Sequence, residues 1–378
     1  MPARACGAGA DGAVLNELQG FLGPNGTGLS RRLLDELHAT AGDVPLVVVA
    51  TVWPDKLRNA TAGGAEDNRD IRELLAEPSS YVRRHDVAAR LSVVERTRVG
   101  QVLEAHPDPR MRRALDDPVF GFTQALAGAG ELLEFYRDPG RGPGVALVLD
   151  AAADYRRLGG QAALPRKLLT AMARALWDDS HGDEAPDPGL FDWAVTTAAG
   201  RLRDDLAGVR ALIPLASGGY GLADYLEAHL TSARRHCPVS DSVWDALRDH
   251  APTGDLLHVA TAASRHARVG IEGQVCRRAA AAAEPGAHVR LAFWLQLRGR
   301  PAAEVEGVIR EGTAAGDPGA RRLLIDWLKN QSRPAAEVEQ AIRDAATAGD
   351  DWAHCRLAEW LASQDRPAAE VEQAHREA

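Results

Sequence analysis

Along the last third of the chain, apolar positions recur three and four apart, the spacing of one face of an α-helix, in short runs broken by Gly, Asp and Pro. The pattern also repeats on a longer scale. Arg300-Pro-Ala-Ala-Glu-Val-Glu306 recurs at 333–339 and at 366–372, a step of 33 residues, and Trp294, Trp327 and Trp360 keep the same step. Each unit reads as two helices. Pro301 suits the first helical turn, and Glu304 and Glu306 favour the positive end of the helix dipole. Val305 and Ile309 lie one turn apart on one face. Gly316 can end the helix in the left-handed conformation, and Asp317 caps the next one with Pro318 at its first position. Leu324, Trp327 and Leu328 form the buried stripe of that second helix. One such pair cannot bury its own face, so neighbours are expected to stack into an α-solenoid over 238–378, with an older copy at about 267–299. The tryptophans read as inter-repeat packing residues, with ligand stacking as the alternative.

Upstream, the pattern predicts helices over 93–105, 118–136, 145–157 and 165–177, and a short helix or loop around 187–200. Gly208 to Tyr220 reads as an apolar strand with a Ser-Gly-Gly turn, a hairpin signal, before a helix over 222–235. Helices followed by a hairpin suit a winged-helix domain. Its candidate DNA-reading helix carries Arg166, Lys167 and Arg174 beside Asp178 and Asp179, too mixed a charge for phosphate binding. Near the start, Ala13 to Glu17 is a short apolar run, Leu29 to His38 suits a helix, and Pro45 to Thr51 is a dense apolar strand. Such density predicts a parallel strand buried on both faces, in one strand–helix–strand unit.

Composition narrows the function. The net charge of −9 disfavours a general nucleic-acid binder. No run of about 18 apolar residues is present and the first ten residues lack a signal-peptide core, so a cytoplasmic protein without membrane spans is expected. Cys6, Cys237, Cys276 and Cys355 stand far apart with no Cys-x-x-Cys pair, which predicts neither zinc nor disulfides. Only Lys56, Lys167 and Lys329 are lysines. None follows a glycine-rich turn as a P-loop requires. Gly23-Pro-Asn-Gly-Thr-Gly-Leu-Ser30 imitates one with Leu29 at the lysine position, and reads either as a decayed P-loop or as a connecting loop.

The repeats resemble tetratricopeptide-like and Sel1-like arrays as a class, and the whole order resembles the STAND class of signal-transduction NTPases in an actinobacterial form. The resemblance implies a mainly α protein: the C-terminal part of a P-loop-type α/β core (1–65), a helical lid (66–140), a winged helix (141–237) and the solenoid (238–378). It places Asn16 and Glu17 at the end of a Walker B strand, with Glu17 as the catalytic acid. Thr51 falls at a sensor tip facing the γ-phosphate, and Gly128 and Gly130 in the lid segment beside the nucleotide base. Asn16, Trp53 and Gly130 depart from the residues the class carries there. Complete members bind ATP or ADP with magnesium; the chain as it stands is expected to hold no cofactor. A start within the third strand of a core and an end within a repeat read as a fragment cut on both sides. The expected function is a regulatory part of a nucleotide-dependent switch, with the repeats binding a protein partner and self-association left open. The alternative is a binding scaffold that uses no nucleotide.

Overall fold

The computed structural model describes residues 12–15, 29, 31–41, 47–52, 90–161, 163–182, 184–202, 208–216, 218–364 and 366–376. These are mainly helical, with eighteen α-helices and four short strands. They fall into two compact units, Met1–Ala89 and Arg90–Ala378.

In the first unit, strand β1 (Gly12–Leu15) is followed by helix α1 (Arg31–Ala41) and strand β2 (Val47–Ala50). The strands pair in parallel, Gly12 opposite Val47 and Leu15 opposite Ala50. The expected strand–helix–strand order is present. Burial of β2 on both faces is not, since Val49 is 54% exposed. Branched residues favour a pleated backbone whether or not a layer covers them.

The second unit opens with α2 (Val93–Ala105), held by a reciprocal cap between Ser92 and Glu95, and α3 (Pro109–Asp116). The expected helix over 118–136 is two, α4 (Phe122–Leu126) and α5 (Ala129–Arg137). Gly128 separates them at φ +80°, a left-handed value that glycine adopts freely.

Next come α6 (Pro143–Arg157), α7 (Arg166–His181) and α8 (Leu190–Ala198). An antiparallel hairpin follows, β3 (Leu212–Pro214) with β4 (Tyr220–Leu222), and then α9 (Asp224–Arg234). Leu164, between α6 and α7, exchanges backbone hydrogen bonds with Tyr220 at 2.8 and 2.9 Å and so extends the hairpin. Leu149, Leu168, Met172, Leu212 and Leu226 fill the core between these elements.

Two polar ties cross that core. Asp154, 1% exposed, accepts hydrogen bonds from Arg157 Nε at 2.7 Å and from Arg234 Nε and Nη2 at 2.8 and 2.7 Å. Arg234 also reaches Asp150, which accepts from the Tyr136 hydroxyl at 2.9 Å. The Tyr155 hydroxyl donates to buried Asp255, which accepts from the Gln161 amide at 3.0 Å as well. Buried charge is tolerated where hydrogen bonds of this number surround it.

The remaining helices each pack against the next: α10 (Asp241–His250), α11 (Leu256–Arg265), α12 (Val269–Ala281), α13 (Ala287–Leu297), α14 (Ala302–Ala314), α15 (Pro318–Asn330), α16 (Ala335–Thr347), α17 (Asp351–Ser363) and α18 (Ala368–Arg376). The starts of α12, α14, α16 and α18 keep the 33-residue step of the sequence. Pro301 stands one place before the expected position: it is the N-cap residue and α14 begins at Ala302. Asp317 caps α15 by accepting from the amides of Gly319 and Ala320. Buried apolar residues form one continuous core from Leu132 to Ala374.

Candidate partner-binding surface

The first helices of the pairs α12–α13, α14–α15 and α16–α17 start 33 residues apart, so residues 33 apart occupy equivalent places and their differences are informative. In the second pair, Val305 and Ile309 are buried, and Trp327, 7% exposed, donates its indole N–H to Glu306 Oε2 at 3.4 Å. In the first pair the residue equivalent to Glu306 is Gly273. A Cβ there would stand 2.4 Å from Cζ2 of Trp294, so the indole lies directly against the backbone of α12. Its N–H has no acceptor among the described residues, and Arg277 covers its ring at 5.1 Å. In the third pair Lys329 covers Trp360 at 5.1 Å. Trp352 has Arg322 and Arg356 within 5.3 Å of its ring. Every one of these rings meets neighbouring helices, and the cations add the attraction of a charge to a π face.

Between the second and third pairs the charges close into a ring. Arg310 bridges Glu306 at 2.8 Å and Glu337 at 2.7 Å, while Arg333 approaches the same two carboxylates at 3.5 and 3.3 Å. Burial raises the Glu306 carboxyl, but hydrogen bonds from Arg310 and Trp327 outweigh it and hold the group below the usual carboxylate range. Exposed pairs of this kind contribute about 0.2–1 kcal/mol each, so the ring fixes the register of the pairs more than their stability. Beside it runs a groove of 340 Å³ with Leu324, Leu328 and Ala341 in its floor and Arg310, Glu337 and Asp344 at its rim. A wider cleft of 640 Å³ lies by α5, but its Arg141 is engaged by Asp138 at 3.2 Å and by the Phe135 ring at 4.4 Å.

Of the residues that the sequence singled out for nucleotide chemistry, Thr51, Gly128 and Gly130 are among the described residues. Asn16 and Glu17 are outside the described residues, as are Trp53 and, apart from Leu29, the turn at 23–30. Thr51 follows the end of β2 and is exposed. Gly128 and Gly130 flank the start of α5. A Cβ on Gly128 would lie 2.9 Å from Val209 Cγ1, and one on Gly130 3.3 Å from Phe120 Cε2, so side chains already cover both glycines. The helix that precedes the hairpin is α8, not the one that carries Arg166. That arginine is occupied by Asp192 at 3.2 Å and by Thr196 at 2.6 Å, and Arg174 lies over Phe191. Cys237, Cys276 and Cys355 are free thiols. Burial pushes the Cys276 thiol up to about 11, which keeps it protonated and unreactive at neutral pH. Among the described residues no group of three or more His, Cys, Asp or Glu is placed to hold a metal ion, and no helix is long and apolar enough to cross a membrane.

The first pair departs from the others at positions that helical periodicity alone does not mark. Glu272 and Arg290 stand where the second pair has Val305 and Leu323, and Phe293 and Leu297 stand where it has Asp326 and Asn330. Alignment of the chain on itself was the signal available for them. Comparison with protein-family models, with curated proteins and with solved structures returned no match.

Proposed function

We propose that the chain is a protein-binding module of a regulatory protein, in which helices α12 to α18 form an α-solenoid that holds a partner. The observation that carries this reading is the stack itself. The second and third pairs bury the same residue types at equivalent places, Val305 and Ile309 against Val338 and Ile342, while exposed residues of their second helices change, as Arg322 does to Cys355. Constant interiors with variable surfaces are what a recognition array needs. The test is proximity labelling with the full chain as bait in its own cell, followed by reconstitution with each candidate. A saturable complex with a dissociation constant of about 1 µM or tighter is expected. A chain that forms no saturable complex with any labelled protein would defeat the proposal.

A second reading, the nucleotide-dependent switch of the STAND class, has two supports. One is the parallel pairing of β1 and β2 around α1. The other is the order of helix, bridging residue Leu164, two helices and hairpin, which is that of a winged helix. On this reading the winged helix is a structural or regulatory element. Calorimetry with ATP or ADP and magnesium separates the two. Micromolar binding favours the switch, and no binding up to about 1 mM leaves the scaffold.

A further inference from the structure

The four places held by Glu306, Arg310, Asp326 and Asn330 in the second pair are held by Gly273, Arg277, Phe293 and Leu297 in the first and by Glu339, Arg343, Glu359 and Ser363 in the third. Two pairs therefore build the same backbone with polar residues on the outer face of the second helix. The fold does not require Phe293 or Leu297 to be apolar, yet they are 47% and 83% exposed, one turn apart on α13. The charge changes with them. These four residues carry +1 in the first pair and −1 in each of the others.

The cations at this place lack their usual partners. Arg310 has Glu306 and Glu337, and Arg343 has Glu339 at 2.7 Å. Arg277, the equivalent arginine, is exposed over Trp294 and has no carboxylate among the described residues, because Gly273 replaces the glutamate. Arg298, exposed just beyond Leu297, has none either. Arg290 and Arg300 are matched by Glu272 and Glu304, and no acidic residue occurs between Glu284 and Glu304.

We propose that Phe293 and Leu297, flanked by Arg277 and Arg298, dock an acidic amphipathic helix of a partner protein. Its apolar stripe covers the two exposed side chains, and its carboxylates take the place of those that Arg277 has lost. A helix laid on a helix matches an anchor spacing of one turn, and the two cations reject a basic segment of the same shape. This inference rests on the protein-binding reading and assigns it a site and a partner chemistry.

The test uses the full chain and two fluorescein-labelled synthetic helices with one leucine stripe, the first with glutamates on its other faces and the second with lysines. Anisotropy is expected to show the glutamate peptide binding about tenfold tighter or better than the lysine peptide. The double variant F293D/L297N changes two exposed positions to residues that the second pair carries there, and is expected to unfold in urea at the wild-type midpoint. It is expected to weaken the glutamate peptide about tenfold or more. R277E is expected to weaken that peptide and strengthen its lysine counterpart. Equal binding of the two peptides, or no binding up to about 1 mM, overturns the proposal. Undiminished binding by F293D/L297N overturns it too, while leaving the protein-binding reading intact. Self-association in sedimentation that F293D/L297N abolishes, without peptide binding, gives the surface to a second copy of the chain and also overturns it.

Discussion

Glu272 is a carboxylate only 6% exposed, held by Arg290 at 3.0 Å, in a place where the neighbouring pairs bury Val305 and Val338. The chain thus contains both solutions to one packing problem. Only the carboxylate is buried, since the Arg290 side chain is 36% exposed, and burying a charge carries a desolvation cost that an apolar side chain of similar shape does not. Removing one partner is the unfavourable case. R290L leaves the Glu272 carboxylate without its hydrogen-bond donor and is expected to lower stability by about 1–3 kcal/mol. E272V/R290L, which copies the second pair, is expected to equal or exceed the wild type in urea unfolding. A double variant less stable than R290L would show that the pair itself holds α12 against α13. Glu272 and Arg290 are exceptional among the residues 33 apart, since Val305 and Leu323 hold their places in the second pair. The burial of Glu272 was not legible, because an acidic residue one turn before Cys276 reads as an ordinary solvated position.

At the scale of elements, most helices were legible from periodicity, and α2 falls on the expected residues 93–105. The joints were less so. Gly316 and Gly349 end α14 and α16 at φ +88° and +80°, as a left-handed cap demands. The equivalent residue after α12 is Ala283, at φ +52°, and Ser332 takes the same conformation after α15. A side chain there costs about 1–2 kcal/mol, against a gain of roughly 0.4–1 kcal/mol from a less flexible unfolded chain. A283G and S332G are therefore each expected to raise thermal stability slightly, and a fall on substitution would mean that the joints are unstrained. Caps also tie pairs together. Asp350 caps α17 and is bonded by Arg322 of α15 at 2.8 and 3.0 Å. Those hydrogen bonds hold its carboxyl below the ordinary value of 3.8 although burial opposes them. A carboxyl depressed on folding contributes stability above its unfolded pKa and loses it as the pH falls through the folded value. D350N is expected to flatten stability against pH below about pH 5, an effect read from urea midpoints across an acid series. An unchanged acid slope would show that the bond to Arg322 does not persist in solution.

Across the Arg90–Ala378 unit, the ties that matter join residues far apart in the chain, which is why the sequence did not display them. Asp150 and Asp154 lie one turn apart on α6; the helix's own Arg157 bonds Asp154, and Asp150 draws its cation from another element. Nothing in the pattern identifies Arg234 as that cation. Burial raises the Asp150 carboxyl, while Arg234 and Tyr136 pull it down, so this cluster depends on its arginine. Tyr155, the next residue after Asp154, reaches Asp255, so α6 is fastened to α9 and to the turn before α11 by adjacent side chains. D154A leaves Arg157 and Arg234 with one carboxylate fewer in a site where the aspartate side chain is 2% exposed, and is expected to cost about 3–5 kcal/mol. The spread of that loss is the more telling quantity. The apolar core is continuous from Leu132 to Ala374, but stacked pairs couple chiefly to their nearest neighbours. Hydrogen exchange of D154A is therefore expected to lose protection in α6, α7 and α9 and to retain most of it in α16 and α17. Equal loss in α16 and α17 would mean that the unit opens as one cooperative body, and that a partner bound on the pairs is felt at Asp154.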